Sequence, residues 1–231
     1  MASTAHARHA VFLKHHHEDD PGYVASALER RGYGVEVLTV EDGAEPLDLD
    51  DVDLLGILGS KWSIYDEAAV GGWIGTEIAA IQSAHARMVP ILGICFGAQA
   101  LCVALGGRVE PAPRPEIGWV ALEGAEDDGI LPGLWFQFHA DRCIVPASAK
   151  VLAANEVCVQ AFRVENSLGV QFHPEIDAGQ LRRWMASGAG EEVAAAGLDG
   201  AALVEETEAR DEFSARRVDR LVGAFLERVG R

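Results

Sequence analysis

The segment Gly93-Ile94-Cys95-Phe96-Gly97-Ala98-Gln99 lies between an apolar run, Val89–Ile94, and an Ala- and Leu-rich stretch of helical spacing. A cysteine at a tight turn between a buried strand and a helix exposes its sulfur at the carboxyl edge of a sheet. Gly93 and Gly97 relieve the crowding such a turn creates. The positive end of the helix then faces the sulfur and favours the thiolate, the nucleophilic form. A thiol also needs a base, and Gln171-Phe172-His173-Pro174-Glu175 supplies one. In extended chain, residues two apart share a face, so His173 and Glu175 project together while Pro174 ends the strand. A carboxylate beside an imidazole fixes its tautomer and stabilises the imidazolium formed when the thiol loses its proton. Cys95, His173 and Glu175 are therefore the expected nucleophile, base and orienter.

Other reactive side chains carry less. Cys102, Cys143 and Cys158 form no CxxC pair and read as small buried hydrophobes, not as a disulfide framework or a zinc ribbon. His15-His16-His17 follows a strand, where neighbours point to opposite faces, and no matching ligand spacing accompanies it. No metal or cofactor is expected. Trp73, Trp119, Trp135 and Trp184 read as packing residues, and Gly106-Gly107 as a helix stop, since no Lys-Ser/Thr follows to make a phosphate loop.

These groups need a frame, and the first half of the chain describes one. Apolar runs at Ala10–Lys14, Val35–Val40, Leu54–Leu58 and Val89–Ile94 alternate with helical patterns at Tyr23–Arg31, Val70–Arg87 and Ala98–Leu105. That alternation is the signature of parallel strands joined by crossover helices. From Arg108 to about Gln171, β-branched and aromatic runs separated by Pro, Gly, Asn and Asp predict short, partly antiparallel strands or hairpins at Trp119–Leu122, Trp135–Phe138, Val157–Phe162 and Gly169–Phe172. Beyond Ile176 the composition predicts helices near 177–187, 190–207 and 211–229. The expected fold is α/β: an open, mostly parallel sheet flanked by helices, with a small antiparallel section and a helical C-terminal extension. Residues 1–231 are expected to form one domain, with a core at about 10–176 and the extension at about 177–231.

Composition narrows the function classes. The net charge of −17, with 19 Lys and Arg against 36 Asp and Glu, argues against nucleic acid, because phosphate contacts need clustered cations. The acidic runs at Glu18–Asp20, Glu41–Asp53 and Glu123–Asp128 read as solvated surface. No apolar run approaches the 18 or so residues of a membrane span, and the N-terminus lacks the apolar core of a secretory leader. A reducing, cytoplasmic setting is expected.

Taken together, the two constellations resemble the class I (triad-type) glutamine amidotransferases, a flavodoxin-like family. Its nucleophile turn reads G-x-C-x-G-x-Q and its base strand Q-F-H-P-E, and both are matched at every specified position. Glu116-Ile117-Gly118-Trp119, His139-Ala140-Asp141, Val151-Leu152-Ala153 and Gln160-Ala161-Phe162-Arg163 extend the likeness over roughly residues 10–176, closest to stand-alone relatives of the GMP synthase glutaminase domain. The resemblance implies that Cys95 attacks the side-chain amide of L-glutamine, releases ammonia and forms a γ-glutamyl thioester that water hydrolyses. It further implies oxyanion donors at the backbone N–H of Ser60 and Phe96. Substrate contacts are implied at Gly59 and Gln99 and at the turn His139, Ala140, Asp141. No P-loop is apparent, so the ammonia acceptor is expected to be a separate synthetase.

Many relatives carry G-G-P-x-S in the oxyanion loop, whereas this chain reads Gly59-Ser60-Lys61-Trp62-Ser63. Serine is less comfortable than glycine at positive φ, so the sequence leaves open whether the Ser60 donor is preformed. The same loop keeps a second enzymatic reading open, a γ-glutamyl hydrolase or peptidase with another amine as leaving group. A catalytically idle binding module is the third.

Overall fold

The computed structural model describes residues 8–40 and 47–230, so the extreme N-terminus and the first part of the Glu41–Asp53 acidic run lie outside the described residues. Seven strands form one sheet in the order β2-β1-β3-β4-β9-β8-β7. Its parallel part is β2 (Tyr33–Thr39), β1 (Arg8–Lys14), β3 (Leu54–Ile57), β4 (Ile91–Ile94) and β9 (Ser167–Val170). Strands β3, β4 and β9 are four residues each and wholly buried, as continuous apolar runs covered on both faces should be. The edge is closed by β8 (Val159–Val164), antiparallel to β9, and by β7 (Lys150–Ala154), antiparallel to β8.

The faces are covered by α1 (Gly22–Glu29), α3 (Ile74–Ala86) and α4 (Phe96–Ala104). The helix expected over Val70–Arg87 is broken. Only its first residue, Val70, belongs to α2 (Glu67–Val70), the chain turns through Gly71-Gly72-Trp73, and α3 then begins. Two adjacent glycines give the backbone more to lose in a helix than any other pair, so the pattern yields there.

The middle of the chain forms the expected small antiparallel section, with longer strands than the pattern marked. A separate two-stranded antiparallel ribbon, β5 (Arg108–Leu122) with β6 (Gly133–Ile144), replaces the short strands expected at Trp119–Leu122 and Trp135–Phe138. Pro111, Pro113 and Pro115 argue against a long strand, but the ribbon accommodates them where its register shifts between Pro111 and Glu116. As a result His139, Ala140, Asp141 and Arg142 lie within β6 and not on a turn.

The C-terminal part divides into two. The helices α5 (Ala178–Trp184), α6 (Gly190–Ala195) and α7 (Gly200–Glu208) surround Phe136 and Ile176, with a π-turn at Met185–Ala189 between the first two. The single helix expected near 190–207 is split because Asp199 starts α7, accepting hydrogen bonds from the N–H groups of Ala201 and Ala202. The last helix, α8 (Asp211–Val229), buries Val218, Leu221, Val222 and Phe225 in the same core as Val24 and Leu28 of α1. Arg30 and Arg31 pair with Asp219 across that contact.

Two of the acidic runs are only partly solvated surface. Asp128 is buried and meets Lys150, Arg163 and Arg228, which compensate its lost hydration. Asp19 faces a cleft. None of the described helices is long and apolar enough to cross a membrane.

Candidate active site

The cleft lies beyond the carboxyl ends of β3 and β4, where the parallel part of the sheet opens between the segment 59–63, β6 and the C-terminal helices. Its volume is about 290 Å³, and Cys95, His173, Gly59, Ser60, Phe96, Gln99, His139, Ala140 and Asp141 all line it. Glu175 stands behind His173.

Cys95 occupies the turn that its flanking glycines imply. Its backbone has φ 51° and ψ −107°, and non-glycine residues with positive φ are otherwise confined to Met88 and Glu165 among the described residues. Such a conformation costs a non-glycine residue on the order of 1–3 kcal/mol and persists only when its surroundings over-determine it. Here they do: the Cys95 N–H donates to Val170 O at 2.8 Å, the Gly97 N–H to Leu58 O at 3.1 Å, and the Gln99 N–H to Cys95 O at 3.1 Å. β9, β3 and α4 thus all fix the elbow. A side chain at Gly97 would lie 2.1 Å from Ile57 O, which explains the glycine. The sulfur is nearly buried, with Phe138 O at 3.7 Å and Gln171 Nε2 at 3.6 Å.

His173 lies just past β9. Its own N–H donates to Phe136 O at 2.8 Å, and the preceding Gln171 N–H donates to Gln160 O at 2.9 Å. The segment is therefore pinned between β6 and β8. Glu175 is held by the start of α1, where the Tyr23 N–H donates to Glu175 O at 3.3 Å. Asp177 then caps α5, accepting from the Gln180 N–H at 2.7 Å.

His173 Nδ1 lies 2.7 Å from Glu175 Oε1. A carboxylate can only accept, so Nδ1 carries a proton and Nε2 is left for the cleft, where no protein group bonds it. Burial opposes the imidazolium, but Glu175 and the Cys95 sulfur outweigh it together, and the His173 pKa stands well above its ordinary value.

The remaining expected contacts are placed unevenly. Gln99 lines the cleft with its Nε2 3.4 Å from Gln171 Oε1. Ser60 is absent from the positive-φ residues, so serine is no strain at that position. Asp141 is occupied within the protein: its two oxygens accept from Ser63 Oγ at 2.5 Å and Tyr65 Oη at 2.6 Å. His139 turns its Nδ1 to Asp141 O at 2.9 Å and its Nε2 toward Glu116 at 3.2 Å. Both residues line the cleft while bonded within its wall.

Four residues escape sequence reasoning. Gln171 reaches Cys95 from the motif itself. Trp184 packs edge-on against His173 with ring centroids 5.1 Å apart and lines the cleft. Asp19 lines the cleft, with burial first and then the Glu175 charge pushing its carboxyl up to about 6 against the pull of His15 and His173. His15 is the fourth. It is buried beneath the loop, bonded to Gly59 and Glu77. No spacing rule links these positions to Cys95: Gln171 arrives with the His173 segment, His15 and Asp19 together on the β1–α1 connection, and Trp184 at the end of α5.

The family described as glutamine amidotransferase class-I matches residues 22–187. The glutamine-hydrolysing GMP synthase of Porphyromonas gingivalis strain W83 is 36% identical over 141 residues, which are 57% of this chain and 26% of that protein. The chain therefore spans about a quarter of that relative's length. A glutamine-hydrolysing subunit of the GMP synthase of Sulfolobus acidocaldarius is 32% identical over 153 residues, 62% of this chain and 78% of the relative. In fold, a crystal structure of a glutamine amidotransferase from Thermotoga maritima superposes with a TM-score of 0.86 at 24% identity, covering 96% of this chain and all of the other.

Proposed function

Because the chain belongs to the class I glutamine amidotransferase family, we propose that it hydrolyses the side-chain amide of L-glutamine through a γ-glutamyl thioester on Cys95. The observation that carries this reading is the arrangement at His173: Nδ1 held by Glu175 at 2.7 Å, and Nε2 unbonded in the cleft that Cys95 lines.

In this mechanism the proton of the Cys95 thiol passes to His173 Nε2 and the sulfur attacks the amide carbon. The carbonyl oxygen becomes an oxyanion, received by the N–H groups of Ser60 and Phe96. His173 returns the proton to the amide nitrogen, the C–N bond breaks and ammonia leaves. Water then enters, gives a proton to His173 and adds to the thioester carbon. Collapse of the second oxyanion expels the sulfur and yields glutamate. Glu175 stabilises the imidazolium in both halves. The Sulfolobus acidocaldarius relative, named as one subunit of a GMP synthase, supports an acceptor on a separate polypeptide, to which the ammonia passes.

The test is release of glutamate and ammonia in equal amounts from glutamine by the purified chain, with Cys95→Ala as control. Activity is expected to fall to background in the variant. Turnover confined to γ-glutamyl amines would replace the glutaminase reading with a γ-glutamyl hydrolase, and no turnover of either class would overturn both.

A further inference from the structure

His15 belongs to a histidine run that the proposed chemistry does not use, yet it is among the most enclosed polar groups in the protein. Its side chain and that of Glu77 are 0% and 1% exposed. Nδ1 lies 2.9 Å from Gly59 O and Nε2 lies 2.8 Å from Glu77 Oε2. A carbonyl oxygen and a carboxylate are both acceptors, so the ring donates at both nitrogens. The ring also stacks on Trp73 at 5.0 Å and meets the edge of Phe96 at 4.8 Å. It therefore touches the two residues flanking the cysteine pocket whose peptides matter most for an oxyanion, Gly59 and Phe96.

The geometry of the peptide unit gives this contact its consequence. In a planar trans peptide the C=O and the following N–H point in opposite directions. Holding Gly59 O against His15 turns the Ser60 N–H away from His15. Gly59 itself lies against the triad, since a side chain there would meet His173 Cε1 at 3.0 Å and Cys95 Cβ at 3.8 Å. A 180° rotation of the same peptide would withdraw the donor and aim a carbonyl in its place.

We infer that His15, anchored by Glu77, is a positioning residue that locks the Gly59–Ser60 peptide with its N–H presented to the oxyanion, so that the hole is preformed. The inference rests on the acyl-transfer reading of Cys95 but not on which amine leaves. The raised His15 pKa agrees with it: burial opposes the charge, while Glu77 and the Gly59 carbonyl together prevail.

The experiment compares wild type, His15→Leu and His15→Asn, the last keeping an N–H near the position of Nδ1. In His15→Leu, kcat is expected to fall about 10²–10³-fold, the cost of one oxyanion donor, with KM changed less than about threefold. In His15→Asn at least about a tenfold share of that loss is expected to return. Two probes separate the hole from the nucleophile. A γ-aldehyde analogue of glutamine forms a tetrahedral adduct with Cys95 and should weaken in parallel with kcat. Iodoacetamide alkylates Cys95 without an oxyanion and should react at the wild-type rate. Should His15→Leu fail to fold, because it strands the Glu77 carboxylate, His15→Leu/Glu77→Leu removes donor and charge together. Unchanged kcat and aldehyde affinity in a folded variant overturn the inference, as does a parallel loss of alkylation. An inactive wild type would instead sink the acyl-transfer reading itself.

Discussion

The pairing of Glu175 with His173 makes the sharpest single-residue prediction. Its carboxylate accepts the Nδ1–H and raises the imidazole, so it holds both the tautomer and the charge that thiol deprotonation requires. In Glu175→Gln the side chain keeps its shape but loses the charge, and its amide can offer Nδ1 a donor that selects the wrong tautomer. We expect kcat to fall about 10²–10⁴-fold with KM nearly unchanged, the range seen when the orienting acid of a triad is removed. Steady-state glutaminase kinetics check it, and a loss of less than about fivefold would show that His173 is oriented by something else. Cys95, His173 and Glu175 were legible because each sits in a short motif whose local geometry gives it away. Asp19, His15 and Trp184 were not, because the β1–α1 connection, which carries both His15 and Asp19, and α5, which carries Trp184, reach the site only once the chain has folded. Asp141, a substrate contact that only the family resemblance implied, lines the cleft while accepting hydrogen bonds from Ser63 and Tyr65.

At the scale of elements, the strand-to-helix elbow is the part on which the site depends. In Gly97→Ala the new carbon would lie 2.1 Å from Ile57 O and 2.7 Å from Ile57 C, both backbone atoms of β3 that no rotamer can move. β3 and α4 must separate, and Cys95 moves with them. A loss of about 2–4 kcal/mol is expected. Gly106 is the control. It has φ +91° but open space around its α-carbon, so Gly106→Ala carries only backbone strain, about 1–2 kcal/mol. Urea unfolding of the two variants gives the comparison, and an equal loss in both would mean that the β3–α4 contact adapts. The same contrast between local pattern and tertiary contact explains which elements were readable. β1, β3 and β4 are apolar runs whose burial on both faces leaves no other reading. The β5–β6 ribbon was underread because its prolines forbid a ladder only in a regular register, and the shift between Pro111 and Glu116 removes that condition. β7 is short, Ala-containing and at an edge, where pattern carries little information.

For the whole molecule, the charge of −17 and the burial of Asp19 at the cleft act over different ranges, and pH separates them. The native Asp19 carboxyl titrates at about 6 instead of 3.8, because burial and then Glu175 disfavour its anion more than His15 and His173 favour it. Between those values the unfolded chain has released this proton and the native chain still holds it. Native protein therefore binds more protons, and its stability falls as pH rises through the window, with the full deficit present above about 6. Asparagine at this position does not titrate. Asp19→Asn should therefore gain on wild type between pH 4 and 6 and hold a constant advantage above, at most about 3 kcal/mol for a displacement of roughly two pK units and about half that after solvent screening. Both proteins share every other acid, so their difference cancels all but one charge of the long-range repulsion. Repeating the denaturant titrations in 1 M salt completes the separation, since a Debye length of about 3 Å removes the distant field and leaves the local burial. An advantage that vanished in salt would trace the shift to the overall charge. One that persisted would trace the shift to the local burial of Asp19 in the cleft wall.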